Sequence, residues 1–266
     1  MLRKIYHGSS RILRSPAFGA GTARNDYGLG FYCTESPSLA AEWSVSSTGG
    51  SAGGFTGSGG GRFAGRTGSG YVNRYTIETD GLRIINLNSP EYCILHWLAI
   101  LLNFREFDAG SSDVYRAKDY IRTAFNVDYQ NCDCMIGFRA DNSNFLFAQS
   151  FLDGDISYRQ FNDAVRLGDT GRQFVLKSNR AFDRVLFDGY DIVRGREAYP
   201  AAVSRDRKAM ERFRSLHGRI KPDEAASIDF EEKDSIKPGT KPASAGLYIS
   251  QIVDEGLLPS DPRLSY

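Results

Sequence analysis

The sequence predicts an α+β fold. Short runs rich in Val, Ile, Phe and Tyr, bounded by Gly, Asp, Asn and Ser, read as strands along the chain. Helical stretches lie between them, and no internal repeat is visible. Hydrophobic residues make up 41% of the 266 positions, enough for a sizeable core and against global disorder.

Arg3 to Tyr6 form a first strand that ends in His7-Gly8-Ser9-Ser10. A histidine at a strand end is where a polar side chain and free backbone groups reach a ligand, although a lone His is more often structural. Residues 11 to 24 read as loop, with Pro16, Gly19 and Gly21. The stretch Asn25-Asp26-Tyr27-Gly28-Leu29-Gly30-Phe31-Tyr32-Cys33-Thr34 is the one around which the rest of the chain is organised. Asn25 and Asp26 favour a turn through side-chain to backbone bonds. Gly28 and Gly30 allow positive φ and close backbone approach. Phe31 to Thr34 read as a short strand. A Gly-rich turn that delivers Tyr32 on a strand edge suits a flat ligand; an ordinary hairpin with a core tyrosine is the competing reading. Ser36 then caps a helix with Pro37 at its first position, continuing to Trp43.

Residues 49 to 70 are nearly half Gly and read as a mobile loop. A solvated insertion is the favoured account; a lid or acceptor loop, touching a partner through Arg62, Arg66, Phe55 and Phe63, is the other. Strands come at Tyr71 to Glu78 and Leu82 to Leu87, and helices at Ser89 to Phe104 and Asp113 to Phe125. Cys134 to Phe138 read as a buried strand. Asn144 to Leu152 and a helix capped by Ser157 and reaching Leu167 come next. Asp141 either shapes a pocket or caps a helix. Gly171 to Ser178 form a strand that opens with Gln173, then come a short helix from Ala181 to Leu186 and a strand from Phe187 to Val193. The chain turns polar from Tyr199-Pro200. A charged helix spans Val203 to His217, residues 218 to 245 read as linker, and Leu247 to Glu255 regain periodicity as a docking segment.

Lys and Arg number 33 against 32 Asp and Glu, so no overall basic field argues for nucleic acid. Cys33, Cys93, Cys132 and Cys134 show no metal-ligand spacing, and Cys132 and Cys134 are too close for an easy bridge. Reduced thiols in a cytoplasm fit best. The N-terminus lacks the apolar run of a signal peptide. The longest apolar stretch, Tyr92 to Phe104, is too short to span a bilayer, so no membrane partner is expected.

Three blocks stand in a specific order: His7-Gly8-Ser9, Gly28-Leu29-Gly30-Phe31-Tyr32 and Ser36-Pro37-Ser38-Leu39-Ala40-Ala41-Glu42-Trp43. Together they resemble ADP-ribosyltransferases of the diphtheria-toxin and PARP type, and more narrowly the small bacterial DUF3990 family. The resemblance covers roughly residues 3 to 200, and weakly the last twenty. It implies the ADP-ribosyltransferase fold, a split antiparallel β-sheet core with helical insertions, over 1–200. Residues 201–266 then form a C-terminal helix, linker and docking segment. It implies mono-ADP-ribosylation of a macromolecular target, protein or nucleic acid, with NAD as substrate and no metal. A bacterial toxin or phage-defence effector with a cognate antitoxin is the implied setting.

The same resemblance assigns His7, Tyr32 and Gln173 as catalytic. It places His7, Gly8, Ser9, Asn25, Gly30, Tyr32 and Trp43 around NAD, with Gly8 on the nicotinamide amide, Tyr32 and Trp43 stacking, and His7 donating to ribose hydroxyls. The sequence departs from the PARP pattern in two places. Ala40 stands where a serine is usual, and Gln173 where many members carry Glu. Val175 argues against the arginine-modifying subtype. An NAD glycohydrolase, or an inactive NAD- or ADP-ribose-binding module, are the alternatives.

Overall fold

The structure is a computed structural model that describes residues 1–46, 69–108, 110–167, 171–217 and 246–265. The expected Gly-rich loop therefore lies outside the described residues, apart from Ser69 and Gly70, and so does the expected linker. The fold is α+β, with two open sheets. Strands β1 (Leu2–Ser9), β3 (Ser69–Glu78) and β7 (Val185–Arg194) form an antiparallel sheet in the order β1-β3-β7. Strands β2 (Phe31–Cys33), β4 (Ile84–Asn86), β5 (Cys134–Phe138) and β6 (Arg172–Leu176) form the second sheet, in the order β2-β6-β5-β4. One isolated bridge, Tyr6 to Thr34, joins them.

The second sheet is not wholly antiparallel, as the resemblance implies, because β4 and β5 run parallel. A parallel pair needs a long crossover. Two helices supply it, α2 (Ile94–Phe104) and α3 (Ser112–Ala124). The remaining helices are α1 (Pro37–Ser46), α4 (Asn142–Leu152), α5 (Tyr158–Leu167), α6 (Asn179–Phe182), α7 (Gly195–His217) and α8 (Ile249–Asp254).

Strand alternation buries the second sheet on both faces. Phe31, Cys33, Cys134, Ile136, Phe174 and Leu176 point one way, into a core shared with Ile5, Tyr75 and Ile77 of the first sheet. Tyr32, Met135 and Val175 point the other way, into a larger helical core built on Trp97, Phe147, Phe151 and Phe161. Ile249, Ile252, Leu257 and Leu264 close that core from the C-terminal segment. Tyr158 donates to the Leu264 carbonyl at 2.6 Å and Tyr120 to the Leu257 carbonyl at 2.9 Å.

Three element boundaries differ from expectation. The helix expected from Ser89 begins at Ile94. Pro90 disfavours helical geometry at Ser89, and Tyr92 N–H instead closes a turn on the Ser89 carbonyl at 3.1 Å. The short helix starts at Asn179, because Ser178 Oγ accepts from Ala181 N–H at 3.1 Å, which releases Val185 into β7. Helix α7 begins at Gly195, well before its expected start at Val203, and runs through Pro200. Burial of Ala209, Met210 and Phe213 outweighs the one hydrogen bond a proline removes. Arg205 also clamps the helix to α1, meeting Glu42 through Nε at 3.1 Å and Nη2 at 2.6 Å.

The turn before β2 is fastened by one buried acid. Asp26 is 5% exposed. It accepts from Arg105, the C-cap of α2, at 2.8 Å and from Ala140 N–H at 2.9 Å. Arg105→Met leaves this carboxylate buried without its cation and is expected to cost about 3 kcal/mol of unfolding free energy in denaturant titration. Burial already pushes the Asp26 carboxyl up. Without Arg105 the folded state holds the proton more tightly than the unfolded chain, so the deficit grows with pH and shrinks toward about pH 4. A loss below about 0.5 kcal/mol, the usual range for surface changes, contradicts the assignment.

Candidate functional site

The sheets part immediately after Tyr6. Tyr6 and Thr34 exchange both backbone bonds, at 2.8 and 2.9 Å. In an antiparallel ladder the next such pair is two residues on, Gly8 with Tyr32. That pair does not form. His7 Nδ1 donates to the Tyr32 carbonyl at 2.7 Å and takes the acceptor that Gly8 N–H would use. The Gly8 backbone amide and carbonyl therefore face β2 without a strand partner among the described residues. His7 and Gly8 lie inside β1, not beyond its end as the sequence suggests.

Gly8 is required for packing as well. A Cβ there would overlap the Ala40 carbonyl oxygen of α1 and crowd Ser44 N. This contact starts a chain of neighbours that closes on itself. Ala40 shares α1 with Trp43, whose ring carries the Arg139 guanidinium at 5.2 Å. Arg139 comes directly after β5, whose Gly137 pairs with Gln173. Val175, on the same face of β6 as Gln173, pairs with Tyr32, and Tyr32 returns to His7. His7, Gly8, Tyr32, Trp43 and Gln173 thus lie on one circuit. Their side chains do not all share a sheet face. His7 packs on Phe31 with ring centroids 4.5 Å apart, whereas Tyr32 and Gln173 face the helices.

His7 is 5% exposed, and burial pushes its pKa down to about 4. A carbonyl only accepts, so the proton sits on Nδ1 and Nε2 presents a lone pair. Nδ1 is the ring's donor and is spent on Tyr32, so the Nε2 of this tautomer is an acceptor, where the resemblance implies a donor.

Gln173 is 6% exposed, and its Oε1 has no hydrogen-bond partner among the described residues. Buried polar atoms are normally paired, so this acceptor has room for one donor, from a water or a ligand.

The other residues expected at the site make contacts within the chain. The Tyr32 hydroxyl donates to the Gly28 carbonyl at 2.5 Å and accepts from Tyr27 N–H at 3.0 Å. It closes the turn that Gly28 permits with φ +72°. Asn25 donates to the Thr22 carbonyl at 3.1 Å. Ser9 Oγ caps its own bend on the Arg11 carbonyl at 2.5 Å. Gly30 lets the turn lie against Val175 and the Leu176 carbonyl. Asp141 is the N-cap of α4, accepting from Asn144 N–H at 2.9 Å.

Several residues at the site carry no strong sequence signal. Asn73 is fully buried and donates to the His7 and Arg11 carbonyls at 3.3 and 3.2 Å, while its Oδ1 accepts from Leu13 N–H at 2.9 Å. Lys177 holds the Tyr27 and Leu29 carbonyls under the Phe104 and Tyr129 rings, and burial lowers its pKa. Arg139 reads in the sequence only as a member of a loop. An Asn in a strand and a Lys at a strand end are the faint signals of such fasteners.

Two surface cavities lie off this circuit. One of about 600 Å³ opens between α2 and α3 beside Arg105, Phe107, Tyr115, Lys118 and Arg122. One of about 250 Å³ is lined by Tyr158, Arg159, Arg263 and Ser265. We favour the circuit as the candidate site, because it joins unpaired backbone groups and an orphaned buried acceptor. Among the described residues no group of three or more His, Cys, Asp or Glu is placed to hold a metal ion, and no helix is long and apolar enough to cross a membrane.

A family model described as "Protein of unknown function (DUF3990)" matches residues 3–187, more than half of the chain, and the chain belongs to that family. No curated protein and no solved structure matches it.

His7 is expected to stay neutral, with the proton on Nδ1, down to a pH of about 4. Ring ¹⁵N chemical shifts read both the tautomer and the titration. The unfolded chain takes up this proton near 6.5, so the His7 contribution to stability falls as pH drops from there toward about 4. Protonation close to the unfolded value contradicts the buried Nδ1–H arrangement.

Proposed function

We propose that this circuit is an NAD-cleaving site and that the protein is a mono-ADP-ribosyltransferase on an ADP-ribosyltransferase-type split sheet. The observation that carries the reading is the open Gly8 pair. A primary carboxamide presents one acceptor and one donor, as a strand residue does. The nicotinamide carboxamide pairs with Gly8 in the way a strand residue would, accepting from Gly8 N–H and donating to its carbonyl. The chain acts in the cytoplasm on a protein, DNA or RNA acceptor, as a toxin or phage-defence effector restrained by an antitoxin.

In the reaction the bond between the nicotinamide nitrogen and ribose C1′ breaks, and its electron pair leaves with nicotinamide. Positive charge spreads over C1′ and the ring oxygen. The acceptor nucleophile attacks C1′ and releases its proton to water. Gln173 Oε1 accepts from a hydroxyl of the nicotinamide ribose and fixes that sugar. Neutral His7, on the other face, offers Nε2 as an acceptor to a hydroxyl of the adenosine ribose. Trp43 stacks on the nicotinamide ring. Tyr32 shapes the turn and supplies the edge of the wall. Gln173 carries no charge, so the site forgoes the carboxylate stabilisation of the Glu-bearing members. One such contact is worth about 3–4 kcal/mol of barrier, which makes a slow reaction or a self-activated nucleophile the natural consequence.

Incubating the full chain with a cell lysate and adenylate-labelled NAD tests the reading. The expected result is released nicotinamide together with label on a macromolecule, and nuclease or protease digestion identifies its class. Free ADP-ribose without macromolecular label points to a glycohydrolase. Absence of nicotinamide release overturns the reading. Gln173→Ala, with folding checked by its thermal midpoint, is expected to lower nicotinamide release by about 10²-fold. Full activity of that variant removes Gln173 from the mechanism.

A further inference from the structure

Arg139 is a cation with an unusual address. It is half-buried, and no carboxylate pairs with it among the described residues. The acid that feels its charge, Asp26, is already held by Arg105. Its main chain is fixed, because Asn144 Nδ2 donates to the Arg139 carbonyl at 2.7 Å and Ala140 N–H donates to Asp26. Its side chain is held by the Trp43 ring, at 5.2 Å. Fixed backbone and lightly held guanidinium describe a side chain that can leave.

The proposed substrate has two features that match the two ends of this contact. The nicotinamide ring of NAD is a planar cation and competes with a guanidinium for the face of a tryptophan. The diphosphate of NAD is an anion, and a guanidinium fork binds it bidentately. We infer that Arg139 is a substrate-displaced cap: its guanidinium covers Trp43 until the nicotinamide ring takes that face, and the freed guanidinium binds the diphosphate of the same molecule. This rests on the reading of the circuit as an NAD site and adds a specificity device to it. A nicotinamide fragment must displace Arg139 with no anion to offer in return, whereas the intact dinucleotide offers one. The exchange favours NAD over its own released product, free nicotinamide, which is neutral and carries no phosphate.

Binding of NAD and of 1-methylnicotinamide, a cationic ring without phosphate, separates the possibilities. The full chain is compared with Arg139→Ala and Arg139→Lys. Arg139→Ala is expected to bind 1-methylnicotinamide about threefold more tightly, since the competing cation is gone. The same variant is expected to bind NAD about tenfold more weakly, since charge-assisted bonds to the diphosphate are lost. Arg139→Lys keeps a cation over the ring but loses the fork, so the fragment binds as in the wild type while NAD weakens. Movement of both ligands in the same direction in Arg139→Ala, or no change in either, overturns the inference. If the wild-type chain cleaves NAD and Arg139→Ala binds both ligands unchanged, the cap fails and the NAD reading stands. If the wild-type chain binds neither ligand, both fail together.

Discussion

The hydrogen bond from His7 Nδ1 to the Tyr32 carbonyl decides where the two sheets separate. Without it, β1 and β2 would continue their ladder past Tyr6 and Thr34, and Gly8 would pair with Tyr32. With it, the ladder stops after one bridge. The bond is sheltered: His7 packs at a tilt on Phe31, and Asn73 pins the His7 carbonyl from the neighbouring strand. A neutral imidazole tolerates that burial where a charged one would not, which is why desolvation dominates its titration. One side chain thus terminates a sheet, opens a backbone donor and acceptor, and leaves its own Nε2 lone pair free.

The turn from Asn25 to Gly30 holds Tyr32 in register for this bond. Its ties radiate into every neighbouring element. Asp26 reaches Arg105 on α2 and the loop before α4. Tyr27 donates to the Phe138 carbonyl at 2.6 Å, and Gly137 has no Cβ to block that hydroxyl. Lys177 holds the turn from β6. Helix α1 then presses on Gly8 and is in turn clamped by α7 through Glu42 and Arg205. The circuit is therefore assembled by buried polar ties from four directions, and a half-satisfied network of this kind would be costly.

The local chemistry of the chain is legible in its sequence. The strands at 3–6, 31–34, 71–78, 134–138 and 171–178 and the cap at Ser36 all rest on short-range rules, and each has a counterpart in the structure. The importance of residues 25 to 34 is also legible, because glycines and aromatics in such density demand close approach. Less visible are effects that need two distant residues. Asp26 reads as a turn former, and nothing in the sequence names Arg105 as its partner. His7 reads as a donor until its carbonyl partner fixes the tautomer. The parallel pairing of β4 with β5 depends on a crossover of two helices, which no local pattern announces. Pro200 reads as a break, yet tertiary packing carries α7 through it. Gln173 is marked by its place at the head of a strand, but its orphaned Oε1 appears only once β5 and β6 are paired around it.

The central claim is that the open Gly8 pair receives the nicotinamide carboxamide. A crystal structure of the full chain with a non-hydrolysable NAD analogue tests it most directly. The account predicts the carboxamide oxygen within hydrogen-bonding distance of Gly8 N–H, its nitrogen within the same reach of the Gly8 carbonyl, and a ribose hydroxyl on Gln173 Oε1. An analogue seated instead in the 600 Å³ cavity between α2 and α3, with Gly8 N–H and Gln173 Oε1 still unpaired, contradicts it.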